Sequence, residues 1–431
     1  MKRNTILAFF ILICTFLQAQ ESAKKGLNLG VLPAVSFNSD EGFQYGAILN
    51  LFNYGNGSLY PKYDQSYYLE LSKFTKGSTI MRFYFDSDQL LKGVRTFVDV
   101  SYITEDMLDF FGFNGYQSDY SSSLESSNRA FYKMSQKQFR LLADFKGSLP
   151  IEHLYWEASC NFVNYKNASV DYGKLNESSD LPDVTTSLYD KYVGWNILSA
   201  KEANGGLVSA FKAGLLYDTR NALNNPDKGF STEALIEVAP GFMNKSPYAR
   251  YSLMHKHYKS IIKDRLNLAV RLGVQGKIGK NDIPFYRRTV FMTPFATRTS
   301  PTALGGANSL RGIMRNRVVG ETFALGNFEL RWKVLNFTFI NQNFYFGLNG
   351  FFDTGYILDP VEWNLSNPLL TNADKTTYFN LEKKDSFHSA LGGGLKVVMN
   401  QNFIISVEMG KPLNESDGTK MGTYINLNYL F

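Results

Sequence analysis

The feature that most constrains the fold is an alternation of apolar and polar residues that recurs in about sixteen segments of the chain. Most segments reach the ~10 residues that a tilted strand needs to cross a bilayer. No long apolar run follows the first part of the chain, which excludes a bundle of transmembrane helices. The mean hydropathy of −0.21 suits strands with one apolar and one polar face. We therefore predict an all-β fold, a transmembrane antiparallel β-barrel of about 16 strands.

The connections between these segments differ in length in a regular way. Those after even-numbered segments are mostly short, and the long ones follow odd-numbered segments, at residues 104–135, 167–206, 278–321 and 357–385. A barrel with both ends in the periplasm carries its long loops outside, whereas a soluble β-sandwich has no reason to keep this order. Residues 278–321 then form the sixth outer loop.

The first twenty residues have the features of a secretory signal peptide. Lys2 and Arg3 precede an apolar stretch that is too short for an anchor, and Ala19 suits the position before a cleavage site. We predict a signal peptide at residues 1–20 and the barrel domain at residues 21–431. The alternative for the first segment is a buried helix or a signal anchor.

Neither the charge nor the motifs indicate nucleic-acid binding or catalysis. The formal net charge of +6 is modest for a chain of 431 residues. No Gly-x-Ser-x-Gly motif occurs, and no histidine lies in a recognisable nucleophile context. His255 and His257 share one strand face but have no third ligand nearby in sequence. We predict no catalytic residue, no cofactor, no metal site and no nucleic-acid partner, and therefore a protein that is not an enzyme.

A short glycine-containing segment, residues 305–313, carries one arginine, Arg311, in the sixth outer loop. Glu329 and Asp353 lie on the polar faces of the two alternating segments that follow. If those strands are neighbours, two carboxylates face one lumen and require a cation, and a bidentate guanidinium suits that role. We predict that Arg311 pairs with both acids and locks the loop to the wall. The alternative is that this pairing only stabilises the fold and has no further role.

The two ends of the chain predict the closing seam of the barrel. The last segment, residues 421–431, alternates up to a terminal aromatic residue, Phe431. We predict that it pairs with the first strand, residues 28–37, and so leaves no free sheet edge. Pro33 lies in that first strand and lacks an N–H, so one ladder bond is missing. We infer a weak seam at Pro33 and Phe431, with an ordinary tolerated proline as the alternative.

Three motifs resemble the BamA/TamA-type surface-antigen barrels of the outer membrane. They are Leu310-Arg311-Gly312-Ile313, the Asp353-Thr354-Gly355 stretch, and Asp218-Thr219-Arg220 followed by Asn225-Pro226-Asp227-Lys228-Gly229-Phe230. The resemblance implies a sixteen-stranded barrel that inserts or translocates proteins. It also implies that the sixth outer loop folds into the lumen, where its arginine meets acids on the twelfth and thirteenth strands. In the upstream motif we expect Arg220 to close the periplasmic turn by pairing with Asp218 or Asp227.

The resemblance also sets expectations for partners and function. Members of this family carry periplasmic repeat domains before the barrel, and here the first strand follows the predicted cleavage site too closely for such domains. We expect a member without them, in the outer membrane of a diderm bacterium, that acts in outer-membrane protein assembly or polypeptide transport. Its candidate partners are outer-membrane lipid, a client polypeptide and a separate periplasmic protein. The alternative is a passive or loop-plugged channel, or a structural barrel, without insertase activity.

Overall fold

Antiparallel strands make up most of the part of the chain that the computed structural model describes. That part comprises residues 24–60, 62–177, 182–295, 304–339, 342–363, 365–400, 403–427 and 429–431, so the signal-peptide prediction lies outside it. The strands are β1 (Leu27–Pro33), β2 (Ser36–Asn38), β3 (Gly42–Asn53), β4 (Gln65–Phe74), β5 (Thr79–Leu91), β6 (Val94–Asp109), β7 (Lys133–Ser148), β8 (Leu154–Ala168), β9 (Gly205–Asp218), β10 (Gly229–Ala239), β11 (Tyr248–Ile262), β12 (Leu266–Ile278), β13 (Thr322–Phe339), β14 (Gln342–Asp359), β15 (His388–Met399), β16 (Phe403–Pro412) and β17 (Gly422–Leu427).

The strands form one closed antiparallel barrel. From β3 onward each strand pairs with the next, and β1 and β2 both pair with β3. These two short strands are therefore two pieces of one barrel strand, and the wall has sixteen strands, which confirms the predicted fold. The break follows Pro33, because a proline has no N–H to donate to the ladder. Pro33 itself stays opposite Ala47 of β3.

Side chains alternate between the membrane-facing surface and the lumen, as the sequence pattern predicts. On β13, Phe328 and Trp332 are exposed on the outer face, whereas Asn327, Glu329 and Arg331 are buried on the inner face. The same period of two places polar residues inside along most of the wall. No helix in the described ranges is both long and apolar enough to cross a membrane.

The long connections pack together over one end of the barrel. They are loop 3 (residues 110–132), loop 4 (169–204), loop 6 (279–321) and loop 7 (360–387). Their helices are α1 (Ser122–Ser127), α2 (Tyr172–Glu177), α3 (Leu188–Gly194), α4 (Ala200–Ala203), α5 (Phe285–Arg288) and α6 (Asn372–Tyr378). A 3₁₀ turn lies at Gly115–Gln117 in loop 3, and another lies at Glu415–Asp417 between β16 and β17. Phe110, Tyr192 and Phe285, from loops 3, 4 and 6, belong to one buried aromatic cluster. This shared core gives the loops a fixed arrangement, because large aromatic side chains lose much exposed area when they pack together.

The barrel closes through a short seam. In the described ranges β17 pairs with β2 at two positions, Tyr424 opposite Asn38 and Ile425 opposite Phe37. The ladder of β1 runs along β3, and no ladder joins β1 to β17 in this part of the chain. In the described ranges the neighbouring strands from β3 to β17 share between six paired positions, for β16 and β17, and seventeen, for β13 and β14. The seam is therefore much weaker in backbone hydrogen bonds than the rest of the wall.

The end of the chain leaves the wall and turns into the lumen, so the placement of Phe431 in the closing strand was wrong. β17 ends at Leu427. Tyr429 is buried, and an oxygen of the Phe431 carboxyl group accepts a hydrogen bond from Arg331 Nη2 at 2.9 Å. The same guanidinium lies 4.0 Å from the ring centre of Tyr429. A buried guanidinium attracts both a carboxyl oxygen and aromatic rings, and these contacts hold the chain end inside the barrel.

Candidate functional site

The tip of loop 6 is a tight turn held by its own backbone. The N–H of Gly306 donates to the carbonyl of Ile313 at 2.8 Å, and an isolated β-bridge joins Leu304 to Val318. Leu310 packs with these residues against the inner wall in a small buried cluster. The turn therefore has an apolar side that docks on the wall, and it presents Arg311 to the strands behind it.

Arg311 forms the predicted contacts with both acids in this structure. Its Nε and Nη2 donate to the two carboxylate oxygens of Asp353 at 2.9 and 3.0 Å, and its backbone N–H adds a third hydrogen bond at 3.0 Å. Its Nη1 donates to Glu329 at 3.1 Å. All three side chains are fully buried. Charge-assisted hydrogen bonds of this bidentate kind are about twice as strong as neutral ones, which suits a lock.

A third acid, Glu408 on β16, was missed in the sequence and is in contact with the same arginine. Arg311 Nη1 donates to Glu408 at 2.7 Å, and the guanidinium lies 3.6 Å from the ring centre of Phe351. The signal for Glu408 was present, because Val407 and Met409 on either side of it are apolar and face outward. The alternation therefore places this acid in the lumen.

The three acids are matched by three cations. Besides Arg311, Arg331 Nε donates to Glu329 at 3.1 Å and Lys396 Nζ donates to Glu408 at 2.8 Å. All of these groups are buried among β13–β16. Buried charges are tolerated when every one is paired and hydrogen-bonded, and removing one partner leaves an uncompensated charge. We call this set of six residues the balanced cluster: Arg311, Glu329, Arg331, Asp353, Lys396 and Glu408.

Two glycines named in the motifs allow the loop to approach the wall closely. Gly312 has φ +97°, and a Cβ there would lie 2.6 Å from the backbone of Gly410 on β16. A Cβ on Gly355 would lie 2.8 Å from the side chains of Leu304 and Leu310. The N–H of Gly312 also donates to the hydroxyl of a residue of the last strand, Tyr424, at 2.9 Å. The loop thus rests directly on the strands next to the seam.

Loop 6 is also tied to the opposite side of the seam and to the loop core. Arg315 forms ion pairs with Glu105 of β6 and, at 3.4 Å, with Glu41 in the β2–β3 turn. Beside this pair, burial and the neighbouring carboxylate of Asp109 raise the pKa of Asp40 to about 7. These contacts, together with those of Gly312, place loop 6 across the seam on its lumen side.

The upstream motif forms the short turn between β9 and β10. Arg220 Nε and Nη2 donate to Asp218 at 2.9 and 2.7 Å. Asp227 instead accepts a hydrogen bond from Asn221, so Asp218 is the partner of the arginine. A Cβ on Gly229, which has φ +88°, would lie 2.3 Å from the carbonyl of Thr219. The turn is rigid for these reasons.

The remaining motif residue, Pro226, is buried in the same turn. The preceding Asn225 donates from Nδ2 to the hydroxyl of Tyr345 at 2.8 Å, and that hydroxyl lies 3.2 Å from the hydroxyl of Tyr429. The turn motif, the lumen wall and the inward-turned chain end are therefore joined by one series of hydrogen bonds at the periplasmic end.

The fold and the inserted loop together define an outer-membrane type of β-barrel, and the comparisons with known proteins identify the family. The model of the Omp85 superfamily domain matches residues 65–429. The chain belongs to the Omp85 superfamily, which confirms the resemblance seen in the motifs. No curated protein sequence matches the chain.

Two solved structures of outer-membrane proteins are similar to this one in different degrees. The structure resembles the crystal structure of BamA from Haemophilus ducreyi lacking POTRA domains 1–3, with a TM-score of 0.57 and 14% identity over 94% of this chain and 70% of that chain. CdiB from Acinetobacter baumannii matches with a TM-score of 0.48 and 14% identity over 95% of this chain and 61% of that chain. At this identity the similarity to BamA concerns the fold alone.

Proposed function

We propose that this protein resides in the outer membrane of a diderm bacterium and inserts or transports polypeptides through its seam, with loop 6 held in the lumen by Arg311. Residues 1–20 would be a signal peptide that directs the barrel, residues 21–431, to that membrane. The observation that carries the proposal is the seam itself, where two residue pairs join β17 to β2. The proposal includes no catalytic group and no enzymatic step.

A weak seam in a membrane barrel has a specific physical consequence. In the described part of the chain no strand pairs with the edge of β1, Leu27 to Pro33, on the side away from β3, and unpaired backbone groups are costly in hydrocarbon. An extended polypeptide can satisfy them by adding a strand to that edge. Opening the remaining pairs at Phe37 and Asn38 costs few hydrogen bonds. Supported by membership of the Omp85 superfamily, the seam is therefore the place where a client chain would bind.

The same reasoning names the partners. Outer-membrane lipid surrounds the exposed apolar face of the wall. A client polypeptide would pair with the free edge of β1, and a separate periplasmic protein would deliver it. The inward-turned chain end, held by Arg331, leaves the periplasmic side of that edge open to such a client.

Locking the seam with a disulfide tests the proposal. Phe37 and Ile425 are paired across the seam, so Phe37→Cys/Ile425→Cys in a Cys160→Ser background should form a disulfide on oxidation. We expect the oxidised protein, reconstituted in liposomes, to lose insertion of a urea-unfolded eight-stranded outer-membrane protein measured by protease protection. Reduction should restore it.

A matched control lies in the same wall. Leu49 and Leu69 are paired between β3 and β4 and both face outward. Leu49→Cys/Leu69→Cys should form its disulfide without affecting insertion. Equal insertion by the oxidised and reduced seam variants would contradict the proposal.

The second candidate function is a loop-plugged channel. It is favoured by a luminal cavity of about 440 Å³ below loop 6, because removal of the loop would join this space to the outside. Planar-bilayer recording tests whether loop 6 closes the barrel. Large steady openings that are unaffected by Arg311→Ala would indicate a passive pore, whereas low conductance that rises in the variant would indicate a barrel closed by its loop.

A further inference from the structure

The cavity in the lumen lies against β7–β12, on the side of the barrel away from the balanced cluster. Its volume is about 440 Å³, within the range of ~300–1,000 Å³ for small-molecule sites. Residues 290–293 and Phe295 of loop 6 bound it toward the outer side. Arg220 and Leu223 of the β9–β10 turn and the inward-turned chain end bound it toward the periplasm.

The wall of this cavity carries more cations than carboxylates. Its charged groups are the cations Arg140, Lys212, Arg220, Lys256, Arg271 and Arg287 and the acids Glu233, Glu237 and the carboxyl group of Phe431. Low-dielectric walls of one sign raise the local concentration of ions of the opposite sign. The excess therefore favours an anion.

Carboxylates that reach these cations from neighbouring positions do not remove the excess. Asp218 and Asp99 each pair with one of the arginines in the wall, but Asp99 and Glu237 are each shared with a second arginine. Glu233 faces two cations of the wall, Lys212 and Lys256, so it neutralises at most one of them.

Two buried residues that line the cavity have donors without a hydrogen-bond partner in the described ranges. Lys212 on β9 is 8% exposed, and within the described ranges its ammonium makes no hydrogen bond or close ion pair. Gln138 on β7 is 3% exposed, and its Nε2 has no partner in those ranges. A nearby guanidinium, that of Arg271, donates to the uncharged side-chain oxygen of Asn327 and to the carbonyl of Ser309. Buried donors of this kind are costly unless something accepts from them.

We propose that this cavity binds a small organic anion with a phosphate group. The cations would hold the phosphate through charge-assisted hydrogen bonds. Leu216, Met254 and Phe291 in the same wall would cover the carbon part of the ligand. The site does not depend on whether the protein moves polypeptides, because neither the seam nor the tip of loop 6 forms its centre.

Calorimetric titration of the purified barrel in a non-ionic detergent with glycerol 3-phosphate tests the site. We expect saturable binding that weakens as salt rises. Lys212→Gln/Lys256→Gln should weaken binding by about tenfold or more. Lys259→Gln, on the outer face of the same strand as Lys256, should leave it unchanged.

A second titration with glycerol 3-phosphate, in micelles that contain phosphatidylglycerol, shows whether the natural ligand is a lipid headgroup or a soluble organic phosphate. Competition would assign the site to a lipid headgroup, and its absence would assign it to a soluble organic phosphate. If the double variant does not give the heat-modifiable gel mobility of a folded barrel, Lys212→Met alone serves in its place. No saturable binding by the native protein, or equal binding by a folded variant, overturns the proposal.

Discussion

The two sides of the lumen handle buried charge in opposite ways. Against β13–β16, three acids and three cations are paired, and loop 6 fills the space between them. Against β7–β12, cations outnumber carboxylates around an open cavity. The first arrangement is what a permanent structural contact requires, since burial is tolerated when each charge has a partner. The second arrangement leaves cations that can bind a ligand.

The largest effect that tests this contrast is expected from Arg311→Ala. The change leaves three buried acids with two cations, and losing one partner of a buried network costs about 3–5 kcal/mol. We expect a large fall in the temperature at which the folded, fast-migrating band is lost on a gel. Arg311→Lys should recover little, because an ammonium cannot reproduce the bidentate contact with Asp353. Native-like thermal stability of Arg311→Ala would remove the argument for a lock.

A smaller loss is expected from Glu408→Gln. The variant keeps the shape of the side chain but removes one acceptor charge from Arg311 and Lys396. We expect destabilisation of about 2 kcal/mol, the value of hydrogen bonds to a charged group, measured by the same heat-modifiability assay. Asn349 also donates to this carboxylate, so a loss as large as that of Arg311→Ala would mean that Glu408 organises the cluster.

On the other side of the lumen, the contrast predicts that removing a buried charge does not lower the stability of the fold. Lys212→Met removes a buried ammonium without a close carboxylate and keeps much of the side-chain volume. We expect the free energy of unfolding to be unchanged or to rise by up to about 1 kcal/mol, because burying the ammonium of Lys212 costs desolvation energy and burying a methionine does not. Lys396→Met in the balanced cluster is the matched comparison and should destabilise. If both substitutions destabilise equally, the two sides do not differ as described.

The last prediction concerns pH at the seam. Because burial raises the pKa of Asp40 from its usual 3.8 to about 7, the folded protein binds a proton there that the unfolded chain has lost. The contribution of Asp40 to the free energy of unfolding therefore declines as pH rises from about 4 to 7. We expect Asp40→Asn to reduce that decline, measured as the thermal midpoint at pH 5 and pH 8. An identical pH profile in the variant would contradict the assignment.

Much of this architecture could be predicted from the sequence because the wall follows a local rule. The alternation along residues 327–332 places Glu329 in the lumen, and the structure finds it there. Strand ends were less accurate: β6 was expected to end at residue 103 and continues to Asp109. The extension meets loop 3, whose aromatic residues pack with other loops, and such packing has no signature in the strand pattern.

The inward turn of the chain end could not be predicted for a different reason. Tyr429 and Phe431 continue the alternation of a strand, so the local pattern favours the wall. Their position depends on Arg331, about a hundred residues earlier in the chain, and on the hydroxyl of Tyr345. Glu408 is a different case, because the alternation of β16 does place it in the lumen. It lies outside the three motifs, so the motifs alone do not single it out.

The position of Arg311 has a consequence for how the molecule is made. Its partners lie later in the chain, and Glu408 is separated from it by 97 residues. Loop 6 is therefore synthesised before the wall that holds it, and contacts of such separation form late in folding. Loop 6 also shares a buried aromatic cluster with loops 3, 4 and 7. The last strands are then added beside a loop that has already been synthesised, which makes Arg311 a template for closing the cylinder as well as a fastening within it.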